Sequence, residues 1–212
     1  MAGCCPPPGY ETVFGERQAR KDARRYRRRG LSKAARRLVE LARPSGTVLE
    51  VGGGVGAIQI ELLQAGATHA TNVELSSGYE EEARQLLRER RLEDRAERRI
   101  ADFVGAGETV EAADVVVMHR VVCCYPEPDK LVGAAAEHAR RRVVLSFPPR
   151  NAATRLLVYA FNLWWSLRKV DFRSYVHPPA EILEPARRKG LELVDRGRVG
   201  MWCYATLDRV SG

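Results

Sequence analysis

The run Val48-Leu49-Glu50-Val51-Gly52-Gly53-Gly54-Val55-Gly56-Ala57 carries the densest chemical signal in the chain. Glycines packed this closely after an apolar run let the backbone turn tightly and approach a ligand. A plain turn between a strand and a helix needs only one or two of them. Two acids stand farther on, Glu74 in Asn72-Val73-Glu74 and Asp102 in Ala101-Asp102-Phe103. The segment His119-Arg120-Val121-Val122-Cys123-Cys124-Tyr125-Pro126 offers a general base at His119, because imidazole changes charge near neutral pH. The alternative for His119 is a ring that bonds a backbone group or packs on a ligand. Cys123 and Cys124 read as small apolar residues. Their spacing from His119 is not an established zinc pattern and no fourth ligand is apparent, so no metal site is expected. In Asp171-Phe172-Arg173-Ser174-Tyr175-Val176-His177-Pro178-Pro179, Arg173 suits a carboxylate or phosphate, Tyr175 suits a pocket wall, and His177 is the second candidate base. The bland alternative is a surface turn closed by the two prolines.

These residues need a scaffold, and the apolar pattern supplies one. Thr47 to Val51, His69 to Glu74, Arg98 to Ala101, Asp114 to Met118 and Arg142 to Phe147 read as strands. Ala57 to Ala65, Tyr79 to Arg91 and Asp129 to Arg141 read as helices between them, with Ser77 and Glu80 forming a capping-box pattern. Such alternation predicts a parallel sheet with helices on both faces. Leu191 to Val199 and Met201 to Arg209, joined at Gly200, predict a terminal antiparallel hairpin. The expected fold is α/β, a Rossmann-like sheet of seven strands, five parallel plus the hairpin. An Arg-rich helical pattern from Phe14 to Leu41, broken at Gly30, precedes it. Residues 1–43 therefore read as a tail and helical cap, and 44–212 as the main domain, with an insertion at about 150–180.

The 212 residues are 45% hydrophobic and 29% charged, which suits one globular domain and excludes a disordered chain. The apolar stretch from Leu156 to Leu167 is shorter than the roughly 20 residues of a membrane span. Five cysteines, two pairs of them adjacent, do not form a disulfide framework, and the start of the chain does not resemble a signal peptide. A cytoplasmic protein with free thiols is the expectation. Within the net charge of +8, residues 1–43 hold 12 basic and 4 acidic side chains, and the remainder balances.

Two ligands compete for the glycine run. Gly52-x-Gly54-x-x-Ala57 fits the dinucleotide fingerprint. Glu50, however, stands where a dinucleotide-binding strand wants an apolar residue. A carboxylate there can hold a cationic amino group, and S-adenosylmethionine carries one. Here the sequence resembles the class I S-adenosylmethionine-dependent methyltransferases of small molecules. The resemblance covers roughly Leu38 to Arg209. It implies that Glu50, Gly52, Gly53, Gly54 and Gly56 form the family's first motif. It implies that Glu74, with Leu75 beside it, takes the ribose hydroxyls and that Asp102 and Phe103 meet the adenine. His119 falls where the family's catalytic or acceptor-facing residues lie, and is expected to border the cofactor too. No Asn/Asp-Pro-Pro-aromatic tetrad follows the fourth strand, which argues against the subgroup acting on amides or nucleic-acid bases.

The acceptor side is expected from Cys123, Tyr125, Arg173 and Tyr175. Trp164 joins them if the apolar helix of the insertion, hydrophobic on nearly all sides, is a lid. Its other readings are packing under the N-terminal segment, a second copy of the chain, or a membrane contact, of which packing or lid is preferred. Tyr10, Phe14 and Tyr26 join them if the N-terminal helices cover the pocket. The expected reaction is methyl transfer to a small, partly apolar organic acceptor by in-line displacement. The alternatives are an RNA methyltransferase working through Arg24 to Arg29, a cofactor-binding scaffold without turnover, and, more distantly, a dehydrogenase.

Overall fold

The computed structural model describes residues 9–106 and 109–210. Seven strands form one sheet: β1 (Gly46–Val51), β2 (Ala67–Glu74), β3 (Ala96–Ile100), β4 (Ala113–His119), β5 (Ala139–Phe147), β6 (Leu191–Val199) and β7 (Trp202–Arg209). Their order is β3-β2-β1-β4-β5-β7-β6. The first five are parallel, and β7 pairs antiparallel with both β5 and β6. The seven-stranded Rossmann-like sheet with its terminal hairpin is therefore as the alternation predicts.

Strand order reverses between β1 and β4, so a crevice opens beyond their carboxyl ends. Along β1 the side chains alternate between two cores. Val48 packs with α3 (Lys33–Ala42), α4 (Ala57–Gln64) and α5 (Glu80–Arg90) on one face. Leu49 and Val51 pack with α6 (Pro128–His138) and α8 (Pro179–Arg188) on the other. Glu50 shares the face of Val48, and its register partner on β2 is Asn72.

Several boundaries differ from expectation. The N-terminal helical run breaks at Gly15 as well as Gly30, giving α1 (Tyr10–Phe14) and α2 (Glu16–Arg29) before α3. Ser77 and Glu80 form no capping box: the Ser76 hydroxyl accepts from the Gly78 amide, and Glu80 turns to Arg84 and Arg98. α6 stops at His138, because residues 139–142 have joined β5. There Arg142 makes a bidentate pair with Asp208 on β7, at 2.6 and 2.7 Å, and donates to the Leu41 carbonyl. α8 lies where the sequence reading saw no helix. It starts on Pro179, where a missing N–H does no harm, but Pro185 in its interior reads as a breaker. α7 (Ala152–Leu167) is the helix of the insertion. It contains no buried residue, so it is not packed away under the N-terminal segment.

Candidate active site

At the end of β1 the chain turns through Gly52 and Gly54, both left-handed at φ 65° and 55°, before α4 begins. Gly53 answers to space instead. A Cβ there would fall on the Asn72 amide and the Glu50 carboxyl group. Beneath the loop, Oε2 of Glu50 accepts from the Asn72 side chain at 2.9 Å and from the Gln59 amide at 3.1 Å. Burial is the main force on Glu50 and pushes its carboxyl up to about 7, against the pull of Asn72 and the Arg98 charge. A carboxylate so placed gains from a nearby cation.

Glu74 ends β2 and is buried. Oε2 accepts from the Gly54 amide at 2.7 Å, and Oε1 from the amides of Leu75 and Ser76 at 2.9 and 3.1 Å. Burial raises its pKa, while these amides and Arg98 oppose the rise. A carboxylate has about four acceptor directions, so Glu74 shapes the glycine loop and keeps capacity for a ligand hydroxyl. Arg98 on β3 holds the loop from below. It donates to the Gly54 carbonyl at 2.9 Å and pairs with Glu80 at 3.0 Å. Arg98, Asn72 and Gln59 are functional supports that the sequence reading missed. The available signal was polarity: Gln59 between Ile58 and Ile60 at the start of a helix, and an arginine in a strand.

Beyond β3, Asp102 accepts from the Val104 amide at 3.2 Å. The Phe103 ring turns into the core against His138, with centroids 5.1 Å apart. Tyr125 lies close enough to Asp102 for the carboxylate, after burial, to help push its phenol up to about 12.

His119 ends β4 half-buried. Its Nδ1 is 2.8 Å from the Ser146 hydroxyl, and its ring stands edge-on to Trp202. Burial first, then Arg120 and Arg25, push its pKa down to about 4. The ring is thus neutral at pH 7 and a weak base. His177 is placed differently. Its Nε2 is 3.0 Å from the Tyr125 carbonyl, an acceptor, so Nε2 carries a proton, and in the neutral ring Nδ1 has the lone pair. Tyr175 stacks on this ring at 5.3 Å and donates its amide to the Cys123 carbonyl at 2.8 Å. The loop of residues 170–178 is in this way fastened to the one that follows β4. Arg173 is exposed and donates to the Phe172 carbonyl.

The N-terminal helix closes the other side. The Ser76 hydroxyl lies 2.6 Å from the Phe14 carbonyl and 2.8 Å from the Glu11 carboxylate. Tyr10 and Phe14 meet Phe172 with ring centroids 6.4 and 5.3 Å apart, and Trp165 meets it from α7 at 6.4 Å. Burial, and next the charge of Glu74, hold the Tyr10 phenol well above its usual range. Tyr10 and Phe14 therefore join Phe172 and Trp165 in one aromatic cluster. Two aromatic expectations are corrected. Tyr26 is buried under α4, its hydroxyl donating to Glu61 at 2.9 Å, and lines no pocket. Trp164 is 43% exposed on the outer side of α7, and its neighbour Trp165 faces the cluster.

The donor set fits a sulfonium cofactor with an amino group and a ribose. At Gly52 and Gly53 a Cβ would strike Val121, Asn72 or Glu50, so the loop stays bare backbone; Glu50 offers a buried carboxyl, and Glu74 keeps acceptor capacity.

Comparison with known proteins adds a family match and likeness of fold. Residues 23–195 match the model of a family described as a methyltransferase domain. Magnesium protoporphyrin IX methyltransferase from Synechocystis PCC 6803, solved with bound SAH, is similar at TM-score 0.65 and 21% identity, over 93% of this chain and 84% of that one. An O-methyltransferase family protein from Burkholderia thailandensis is similar at TM-score 0.75 and 19% identity, over 96% and 61%. Geranyl diphosphate C-methyltransferase from Streptomyces coelicolor A3(2), solved with Mg2+, geranyl diphosphate and S-adenosyl-L-homocysteine, reaches 0.70 and 14%, over 99% and 91%. No curated protein matches the sequence.

Proposed function

Because the chain belongs to the class I S-adenosylmethionine-dependent methyltransferases, we propose that its acceptor is a small, partly apolar organic molecule bearing a proton to lose. The carrying observation is two groups of aromatic rings on the elements around the strand ends. Tyr10 and Phe14 from α1 and Trp165 from α7 meet at Phe172, and Tyr175 stacks on His177. Flat or hydrocarbon acceptors suit such rings. The neighbours named for magnesium protoporphyrin IX and for geranyl diphosphate act on molecules of that character.

S-adenosylmethionine supplies a sulfonium-bound methyl group. Glu50 takes its amino group, Glu74 its ribose and Asp102 its adenine edge. Tyr10 and Phe14 cover it, so α1 serves as the cover of the pocket. In-line transfer draws most of its acceleration from alignment. His177 accepts the acceptor's proton at Nδ1, while its Nε2–H stays on the Tyr125 carbonyl. His119, neutral and tied to Ser146, positions the acceptor without taking the proton.

The test is S-adenosylhomocysteine formation with matched acceptors, phenolic, prenylated and porphyrin, against RNA. Turnover with an apolar hydroxyl compound supports the reading. Turnover on RNA alone, steeply lowered by salt and lost on removing residues 15–30, overturns it. Tight cofactor binding with no turnover on any acceptor also overturns it.

A further inference from the structure

The side of α7 that the rest of the chain leaves uncovered is its apolar side. Asn162 turns inward, accepting from the Ser174 amide at 2.8 Å and donating to its carbonyl at 2.9 Å. Outward, Leu156, Tyr159, Leu163 and Leu167 follow one another three or four residues apart and share a stripe, with Leu157 and Trp164 beside it. Leu167 is 76% exposed and Leu156 69%. A surface helix of a soluble domain has the opposite arrangement. A contiguous patch of this kind marks an interaction face.

The rim of the patch carries one sign of charge. Arg150 and Arg155 stand at the start of α7, and Arg168 and Lys169 at its end. No Asp or Glu occurs between Glu137 and Asp171. Among the described residues, none of the four cations is ion-paired. The Arg168 guanidinium lies 4.5 Å over the Trp164 ring.

We propose that α7 docks the chain on an anionic lipid surface. The apolar stripe enters the boundary between headgroups and acyl chains, and the four cations meet lipid phosphates. No helix among the described residues is long and apolar enough to cross a membrane, so α7 lies in the plane of the surface. A second copy of the chain would also cover the stripe. Two-fold pairing of α7 with itself, parallel or antiparallel, sets these cations against one another with no acid in the segment to separate them. An anionic surface satisfies the stripe and the rim together. The inference rests on α7 and its flanks and is independent of the acceptor's identity.

The test is co-sedimentation of the full chain with phosphatidylcholine vesicles and with vesicles containing equal parts phosphatidylcholine and phosphatidylglycerol. Binding to the anionic vesicles is expected to be at least about tenfold tighter than to the neutral ones. Leu156→Ser/Leu163→Ser/Leu167→Ser should abolish it while the circular dichroism spectrum and cofactor binding stay unchanged. Arg155→Gln and Lys169→Gln should each weaken it about fivefold. Failure of the wild type to sediment, equal binding to both vesicles, or unchanged binding by the triple variant would overturn the proposal. So would a dimer that the triple serine variant dissociates and that binds no vesicles, which would assign the face to a second copy.

Discussion

The two halves of the site are built by different means. The cofactor half is a buried polar lattice: Glu50 on Asn72 and Gln59, Glu74 on three backbone amides, Arg98 under the Gly54 carbonyl. Glu50, Asn72, Glu74 and Arg98 stand on three neighbouring parallel strands and Gln59 on the helix that follows β1, so the sheet fixes them. The acceptor half is assembled from α1, the loop after β4, α7 and the loop of residues 170–178. Its contacts are ring against ring, with a few hydrogen bonds between loops. A buried polar lattice has one low-energy arrangement, because each unsatisfied member is penalised. An aromatic cluster tolerates repacking. The cofactor half should therefore respond to single changes in affinity, and the acceptor half in turnover and acceptor KM.

The largest effects test that division. His177→Ala should lower kcat about a hundredfold, within the usual range for a general base, and leave the cofactor Kd unchanged. Loss of cofactor binding in calorimetry would erase the distinction between the halves. His119→Ala should act less on kcat, since its ring is already a weak base. Gly53→Ala is the counterpart on the other side. Its Cβ has no space beside Asn72 and Glu50, and overpacking of this kind costs about 2–3 kcal/mol. Cofactor affinity should fall about a hundredfold on the same scale. Near-normal binding would show that the lattice shifts as readily as the rings do.

Glu50 sharpens the comparison through pH. Its ordinary value of 4.5 is raised to about 7 in the fold. A raised carboxyl stabilises the folded chain most below pH 4.5, and that contribution is lost as pH rises towards 7 and beyond, about 3 kcal/mol in all. A cationic cofactor gains in the opposite direction, because it binds the ionised form. S-adenosylmethionine affinity should rise about tenfold from pH 6 to pH 8, with uptake of the ligand releasing a proton. Glu50→Gln should flatten both profiles, the first by thermal denaturation and the second by calorimetry. A pH-independent affinity in the wild type would place the amino group elsewhere.

How far the sequence speaks follows the same division. The strands, the hairpin and the glycine loop were legible because each depends on neighbours in the chain: apolar runs, turn glycines, an acid at a strand end. Glu50, Gly53 and Glu74 were singled out this way, though not what holds them, since Asn72, Gln59 and Arg98 join only when three elements meet. On the acceptor side, Trp164 and Trp165 are adjacent, and no local pattern says which one faces inward. That is decided by Asn162, whose amide bonds to Ser174 turn the helix. Tyr26 misled for a related reason, its destination being Glu61 on α4. The prolines of α8 hid a helix that tertiary packing stabilises.

The smallest effect probes the seam between the halves. Ser76 follows Glu74 at the end of β2 and is also the anchor of α1, within bonding distance of Phe14 and Glu11. Ser76→Ala keeps the amide that serves Glu74 and removes the hydroxyl that holds the cover and that also accepts from the Gly78 amide. A single hydrogen bond of this sort contributes about 1 kcal/mol. Cofactor affinity should drop about fivefold, and through faster dissociation, since the cover and not the lattice is loosened. Stopped-flow measurement of release distinguishes the two. An unchanged off-rate with slower association would mean that α1 guides the cofactor in without retaining it, and the two halves would then meet at Tyr10 and not at Ser76.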